Sequence, residues 1–138
     1  MQKVIPSCTF IYLLLLPQFV LAAERGYDLS ELQQGKQLYQ ENCAVCHGAN
    51  GEGTAEWKQR DADGNLPPPP LNGTAHTWHH SVSILFRTIN EGTGALGGNM
   101  PAWEGKLSEE NILLIINWIT SLWPDDIYQT WRDQMASQ

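Results

Sequence analysis

Apolar residues recur at intervals of three and four in four stretches of the chain, the spacing of one buried helix face. Leu29 to Asn42 opens behind Asp28 or Ser30, either of which suits a helix cap, and sets Leu32, Leu38 and Tyr39 on related faces. Ser81 to Glu91 carries Val82, Leu85, Phe86 and Ile89 and stops at Gly92. The most regular stretch begins at Ser108, with Glu109 and Glu110 in its first turn. It repeats Ile112, Ile115, Ile116 and Ile119 and is closed by Pro124. A last helix is predicted over Asp125 to Gln134, with Ile127, Tyr128 and Trp131 on one side. No stretch alternates with period two, so the pattern predicts an all-α chain.

The segments between these helices are rich in Gly, Pro and Asn. Gly48 to Asn65 reads as a polar loop, and Pro67-Pro68-Pro69-Pro70 as a stiff extended stretch. Loops of this length count against a compact domain unless something other than the chain fills the interior.

Cys43-Ala-Val-Cys46-His47 names that filler. Two thiols two residues apart, followed at once by an imidazole, are the attachment pattern of a c-type haem. The sulfurs add to the porphyrin vinyl groups, and the histidine lies close enough to bind iron. A dithiol redox pair and half of a zinc site share the Cys-x-x-Cys spacing. Zinc needs further ligands, however, and the one other cysteine is Cys8. A dithiol enzyme needs a preceding strand in a βαβ setting, which the pattern lacks. The expected architecture is therefore helices packed around one covalent haem c.

Attachment of such a haem is chemistry of an exported chain, and the N-terminus suits export. Lys3, the apolar run Phe10 to Leu16 and the small residues of Val20-Leu21-Ala22 have the order of a cleaved signal peptide over residues 1–22. The competing reading is a retained membrane anchor over Val4 to Ala23. Pro6, Ser7, Pro17 and Gln18 interrupt that run and no basic cluster follows it. Cys8 precedes the apolar run and is lost with the leader. The remaining residues 23–138 suit one domain, with a core over about 29–122. Loss of Lys3 leaves seven basic residues against fifteen acidic ones, 7 − 15 = −8. Such a chain has no electrostatic basis for binding nucleic acid or an anionic membrane, and no stable membrane insertion is expected after cleavage. The expected location is the periplasm.

A sixth iron ligand is offered by Gly97-Gly98-Asn99-Met100-Pro101-Ala102-Trp103. A thioether opposite an imidazole favours reduced iron and raises the potential. The paired glycines allow close backbone approach, and Pro101 stiffens the loop after the sulfur. Asn99 is placed to donate to that sulfur, and Trp103 to pack near the haem. The alternative is that Met100 is an ordinary loop hydrophobe.

With CxxCH, the Met100 loop and a C-terminal helix in this order, the chain resembles a class I cytochrome c. The resemblance spans about Leu29 to Leu122. Gly35-Lys36-Gln37-Leu38-Tyr39 is similar to the family's glycine and aromatic positions on the first helix. Trp118 and Ile119 stand where the C-terminal helix would cross it. Pro69-Pro70-Leu71-Asn72-Gly73 resembles the family's Pro-x-Leu-x-Gly segment. The resemblance implies that the Pro69 carbonyl accepts a hydrogen bond from Nδ1 of His47, strengthening that ligand. It also implies a one-electron carrier with His47 and Met100 as axial ligands. Its donor would be a quinol-oxidising complex or dehydrogenase, and its acceptor a terminal oxidase or reductase.

His76-Thr77-Trp78-His79-His80 lies outside that family pattern. It reads most simply as the polar turn before the helix at Ser81. Two alternatives stay open: one histidine replaces Met100 on the iron, or His76, His79 and His80 form a copper or zinc site. A haem protein with a labile sixth ligand, acting as enzyme or gas sensor, is a further functional class; no acid–base pair beside the motif recommends it. The six tryptophans, Trp57, Trp78, Trp103, Trp118, Trp123 and Trp131, are expected mainly in the core.

Overall fold

The computed structural model describes residues 24–137. The leader expected at residues 1–22, with Cys8, lies outside the described residues. Among the described residues from Leu29 onward, helices run in the order α1 (Leu29–Asn42), α2 (Ala44–His47), α3 (Val82–Glu91), α4 (Glu109–Ser121) and α5 (Asp125–Ala136). Single 3-10 turns lie at Thr77–His79 and Gly94–Leu96, and there is no strand among the described residues.

Capping sets the helix starts. Asp28 accepts from the backbone N–H groups of Ser30 and Glu31, Ser81 from that of Ile84, and Ser108 from that of Asn111. Ser81 and Ser108 are thus caps rather than first helical residues. The last helix runs two residues past Gln134, and the cysteine motif contributes a short helix of its own. These are differences at element ends; the four periodic stretches are all helical.

α1 and α4 form the main helix pair. Tyr39 of α1 and Ile112, Ile115, Ile116 and Ile119 of α4 are buried, joined by Ile89 of α3 and by Trp123, Tyr128 and Trp131. The two helices touch most closely at Gly35, where a Cβ would come within 2.7 Å of the Leu114 carbonyl carbon and 3.4 Å of Trp118 Cβ. Trp118 therefore does stand at the crossing. Leu114, outside the i, i+3, i+4 pattern, is also buried, and its carbonyl faces Gly35 of α1.

The segment before α1 is strapped to the other end of the chain. Arg25, 7% exposed, donates through Nη2 to the Trp123 carbonyl at 3.0 Å and to Asp125 at 2.8 Å. Its guanidinium lies 4.3 Å from the centroid of the Tyr128 ring. Two residues on, the Tyr27 hydroxyl meets Thr120 Oγ1 at 2.6 Å. Trp123 and Trp131 are the two tryptophans in the buried core. Each also ties down a loop, through indole N–H groups donated to the Leu71 carbonyl at 2.8 Å and the His80 carbonyl at 2.9 Å.

Candidate cofactor site

The cysteine motif closes a single helical turn at the end of α1. Cys43 ends α1 and starts α2, so its carbonyl accepts from both Cys46 and His47 N–H groups, at 3.1 and 2.9 Å. That turn brings both thiols and the imidazole of His47 to one short element. Cys43 is buried and Cys46 exposed, and they form no disulfide. Burial, with the neighbouring Cys46 thiol second, pushes the Cys43 thiol up to about 11. Gly48 follows at φ +80° and ends the turn. The fully buried Tyr39 fixes it there by donating to the Gly48 carbonyl at 2.9 Å.

His47 is buried, and its Nδ1 lies 2.9 Å from the Pro69 carbonyl. Nε2 is then the one ring nitrogen left for another partner. Burial holds the imidazole below its ordinary value, opposed by the Pro69 carbonyl, and so favours the neutral form that binds metals.

A seam of backbone bonds brings Pro69 to this position. Gly53 N donates to the His47 carbonyl at 2.8 Å, Thr54 N to the Pro68 carbonyl at 2.9 Å, and Leu71 N to the Gly51 carbonyl at 2.7 Å. Gly53, at φ +61°, sits so close to the prolines that a Cβ would lie 2.7 Å from the Pro69 oxygen. The polyproline stretch is thus one side of a seam whose other side is the loop after His47. Neither Gly53 nor the Tyr39–Gly48 bond is singled out by the motif; a glycine among several in a polar loop carries no mark of the close approach it permits.

Met100 is half-buried and packs against the core, as do Leu71, Trp78, Leu85, Phe86, Trp103 and Leu107. Its N–H donates to Thr93 Oγ1 and its carbonyl accepts from Thr93 N, both at 3.0 Å. Trp103 N donates to the Ile89 and Asn90 carbonyls, holding this segment against α3. Asn99 is exposed.

The 76–80 turn is bound to its surroundings by stacking and backbone contacts. His76 stacks on Trp57 with centroids 5.3 Å apart, His79 lies against Trp78 at 3.7 Å, and His80 meets His76 edge-on at 5.6 Å. Thr77 Oγ1 donates to the Pro70 carbonyl at 3.2 Å. Among the described residues, no three His, Cys, Asp or Glu side chains are grouped as a metal site requires. The structure therefore does not bring His76, His79 and His80 together as a copper or zinc triad, because two of the rings are packed on tryptophans.

The family described as Cytochrome C oxidase, cbb3-type, subunit III matches residues 30–119. The Cbb3-type cytochrome c oxidase subunit FixP of Bradyrhizobium diazoefficiens is 30% identical over 102 residues, covering 74% of this chain and 30% of that protein. A thiosulfate dehydrogenase of Stutzerimonas stutzeri is 32% identical over 85 residues, covering 56% of this chain and 25% of that protein. The chain thus spans less than a third of the length of either curated relative. Cytochrome cL from Hyphomicrobium denitrificans aligns in structure with a TM-score of 0.48 and 27% identity, over 75% of this chain and 56% of that one. No helix among the described residues is long and apolar enough to cross a membrane. With the family matched from the first turn of α1 almost to the end of α4, across the whole Cys43–His47 turn and the Met100 segment, the chain belongs to the cytochrome c family of electron-transfer proteins, whose haem c is covalently bound.

Proposed function

We propose that this chain is a periplasmic one-electron carrier with a single haem c, bound through Cys43 and Cys46 and ligated by His47 and Met100. The observation that carries the reading is the Cys43–His47 turn, with His47 buried and its Nδ1 2.9 Å from the Pro69 carbonyl. The residues fit the group in three respects. The two thiols and the imidazole share one turn. His47 is oriented through Nδ1, so that Nε2 is the free donor. Half-buried apolar side chains, among them Leu71, Phe86 and Trp103, suit the edges of a flat apolar macrocycle.

When bound, the haem supplies one iron that takes up and releases a single electron. The chain's own groups set how readily it does so. Pro69 holds the Nδ1 proton of His47, which makes Nε2 a stronger donor and supports the ferric state. Met100 supplies a soft sulfur that supports the ferrous state. Exclusion of water by the apolar lining keeps charge change on the iron from reorganising solvent.

The single CxxCH supports one haem, and the leader-like N-terminus supports the periplasm. The excess of acidic over basic residues suits a partner with a basic docking surface. A relative that is an oxidase subunit and another that is a dehydrogenase support partners of those two kinds, with a quinol-oxidising complex or dehydrogenase as donor and an oxidase or reductase as acceptor.

The test is spectroscopic. The purified holoprotein is expected to carry the mass of one haem and to show, when ferric, the long-wavelength charge-transfer band of sulfur-ligated haem. Met100→Ala should lose that band and bind carbon monoxide when ferrous. A wild-type protein that lacks the band and already binds carbon monoxide freely would overturn the His/Met carrier in favour of a labile sixth site.

A further inference from the structure

The residue carrying the sulfur is also held by the chain that follows α3. Gly92 leaves α3 at φ +72°, and its missing side chain makes room for the returning chain. A Cβ there would come within 2.6 Å of the Met100 oxygen and 2.8 Å of the Pro101 carbonyl carbon.

Thr93 then bonds this segment from three of its own atoms. Its N–H donates to the Met100 carbonyl at 3.0 Å, its Oγ1 accepts from the Met100 N–H at 3.0 Å, and its carbonyl accepts from Gly98 N at 2.9 Å. Both backbone polar groups of Met100 therefore end on one residue seven positions earlier. Gly98 is small because of the same contact: a Cβ there would lie 2.8 Å from Thr93 Cβ. Beyond Met100 the pairing continues, with Glu104 N donating to the Asn90 carbonyl at 3.0 Å.

We propose that Thr93 is the positioning residue for the sixth ligand, holding the Met100 backbone so that an outside base cannot readily displace the sulfur. The proposal rests on the reading of Met100 as that ligand. Withdrawal of a ligating side chain from a packed segment moves its backbone, and here that movement breaks the two Thr93–Met100 bonds together. The hydroxyl is the part that sequence can vary, because the other bonds come from backbone. Thr93→Val keeps the shape and removes the acceptor, leaving the Met100 N–H without its partner. Thr93→Ser keeps the acceptor.

The test uses the ferric holoprotein titrated with imidazole as a competing base, followed by loss of the long-wavelength band. Loss of one such bond is expected to tighten imidazole binding to Thr93→Val about fivefold, or about 1 kcal/mol at 1.4 kcal/mol per tenfold. Thr93→Ser is expected to stay within about twofold of wild type. A purely structural role would lower the melting temperature of both variants without separating their imidazole affinities, and that result overturns the proposal. Amide hydrogen exchange of the wild-type protein is a second measure that needs no variant. The Met100 N–H should exchange slowly beside the fast amides of Ala95 and Asn99, and fast exchange at Met100 overturns the proposal. Absence of the band in wild type is a different failure: it removes Met100 as ligand, and the Thr93 role with it.

Discussion

Replacing Gly35 with alanine tests the crossing on which the site is built. Two effects oppose each other. Alanine in place of glycine inside a helix stabilises by about 1 kcal/mol through backbone entropy. Against this, the new Cβ would stand 2.7 Å from the Leu114 carbonyl carbon, where carbon atoms ordinarily rest about 3.5–4.0 Å apart. The obstacle is helix backbone, which cannot rotate away as a side chain can, so α1 and α4 must separate by about 1 Å. That separation loosens the contacts of Tyr39, Ile112, Ile115 and Ile116, all of them fully or almost fully buried. Overpacking of this kind costs about 1–3 kcal/mol even where side chains can adjust, and the upper end applies against backbone. The net effect is a loss of about 2 kcal/mol, or a fall in melting temperature of about 8–12 °C for a domain of this size. Thermal unfolding followed by far-ultraviolet circular dichroism measures it, with Gln34→Ala on the exposed side of α1 as control. If Gly35→Ala melts at or above the wild-type temperature, helix propensity has won and the close crossing is not what the sequence preserves with this glycine.

Three further outcomes follow from the same contacts. Gly53→Ala should push the Pro69 carbonyl away from His47 Nδ1, weaken that ligand's donation and raise the reduction potential; an unchanged potential in a redox titration would mean that Gly53 does not set the contact. Arg25→Met keeps most of the packing but removes the bonds to the Trp123 carbonyl and Asp125, and should cost about 1–2 kcal/mol in urea unfolding. Because Asp125 is largely exposed, that cost should depend only weakly on salt. Burial, then His80 and His79, holds His76 below its ordinary value. In the window below the unfolded histidine value of about 6.5, the unfolded chain takes up the proton first, so stability should fall as pH falls there. Melting temperature against pH should show a shallower slope for His76→Gln, and equal slopes would remove His76 from the account.

What was legible in the sequence is what needed a particular side chain. The helices of α1, α3, α4 and α5 required apolar residues at intervals of three and four, and Ser81 and Ser108 had to offer oxygens to cap two of them, so periodicity and caps located them within a residue or two. The CxxCH turn required two sulfurs and an imidazole, for which no other residues substitute. The bonds that aim the site are of another kind. Apart from the Pro69–His47 bond, which the family resemblance implied, Thr93 meets Met100, Gly53 meets the His47 carbonyl, and Arg25 meets Trp123 across 98 residues, largely through backbone N–H and C=O groups that every position owns. Such groups leave no compositional mark. The trace they do leave is steric: where two backbones approach closely the residue between them loses its Cβ, as at Gly35, Gly53 and Gly92. A glycine in a polar loop looks like a turn residue, and only the partner backbone shows it to be a spacer. The apparent excess of flexible loop in this chain is therefore misread when taken residue by residue. Its glycines allow the Gly48–Thr54 loop and the Thr93–Trp103 segment to lie against Pro68–Asn72 and the end of α3, so that both residues proposed as iron ligands stand on backbone-paired supports.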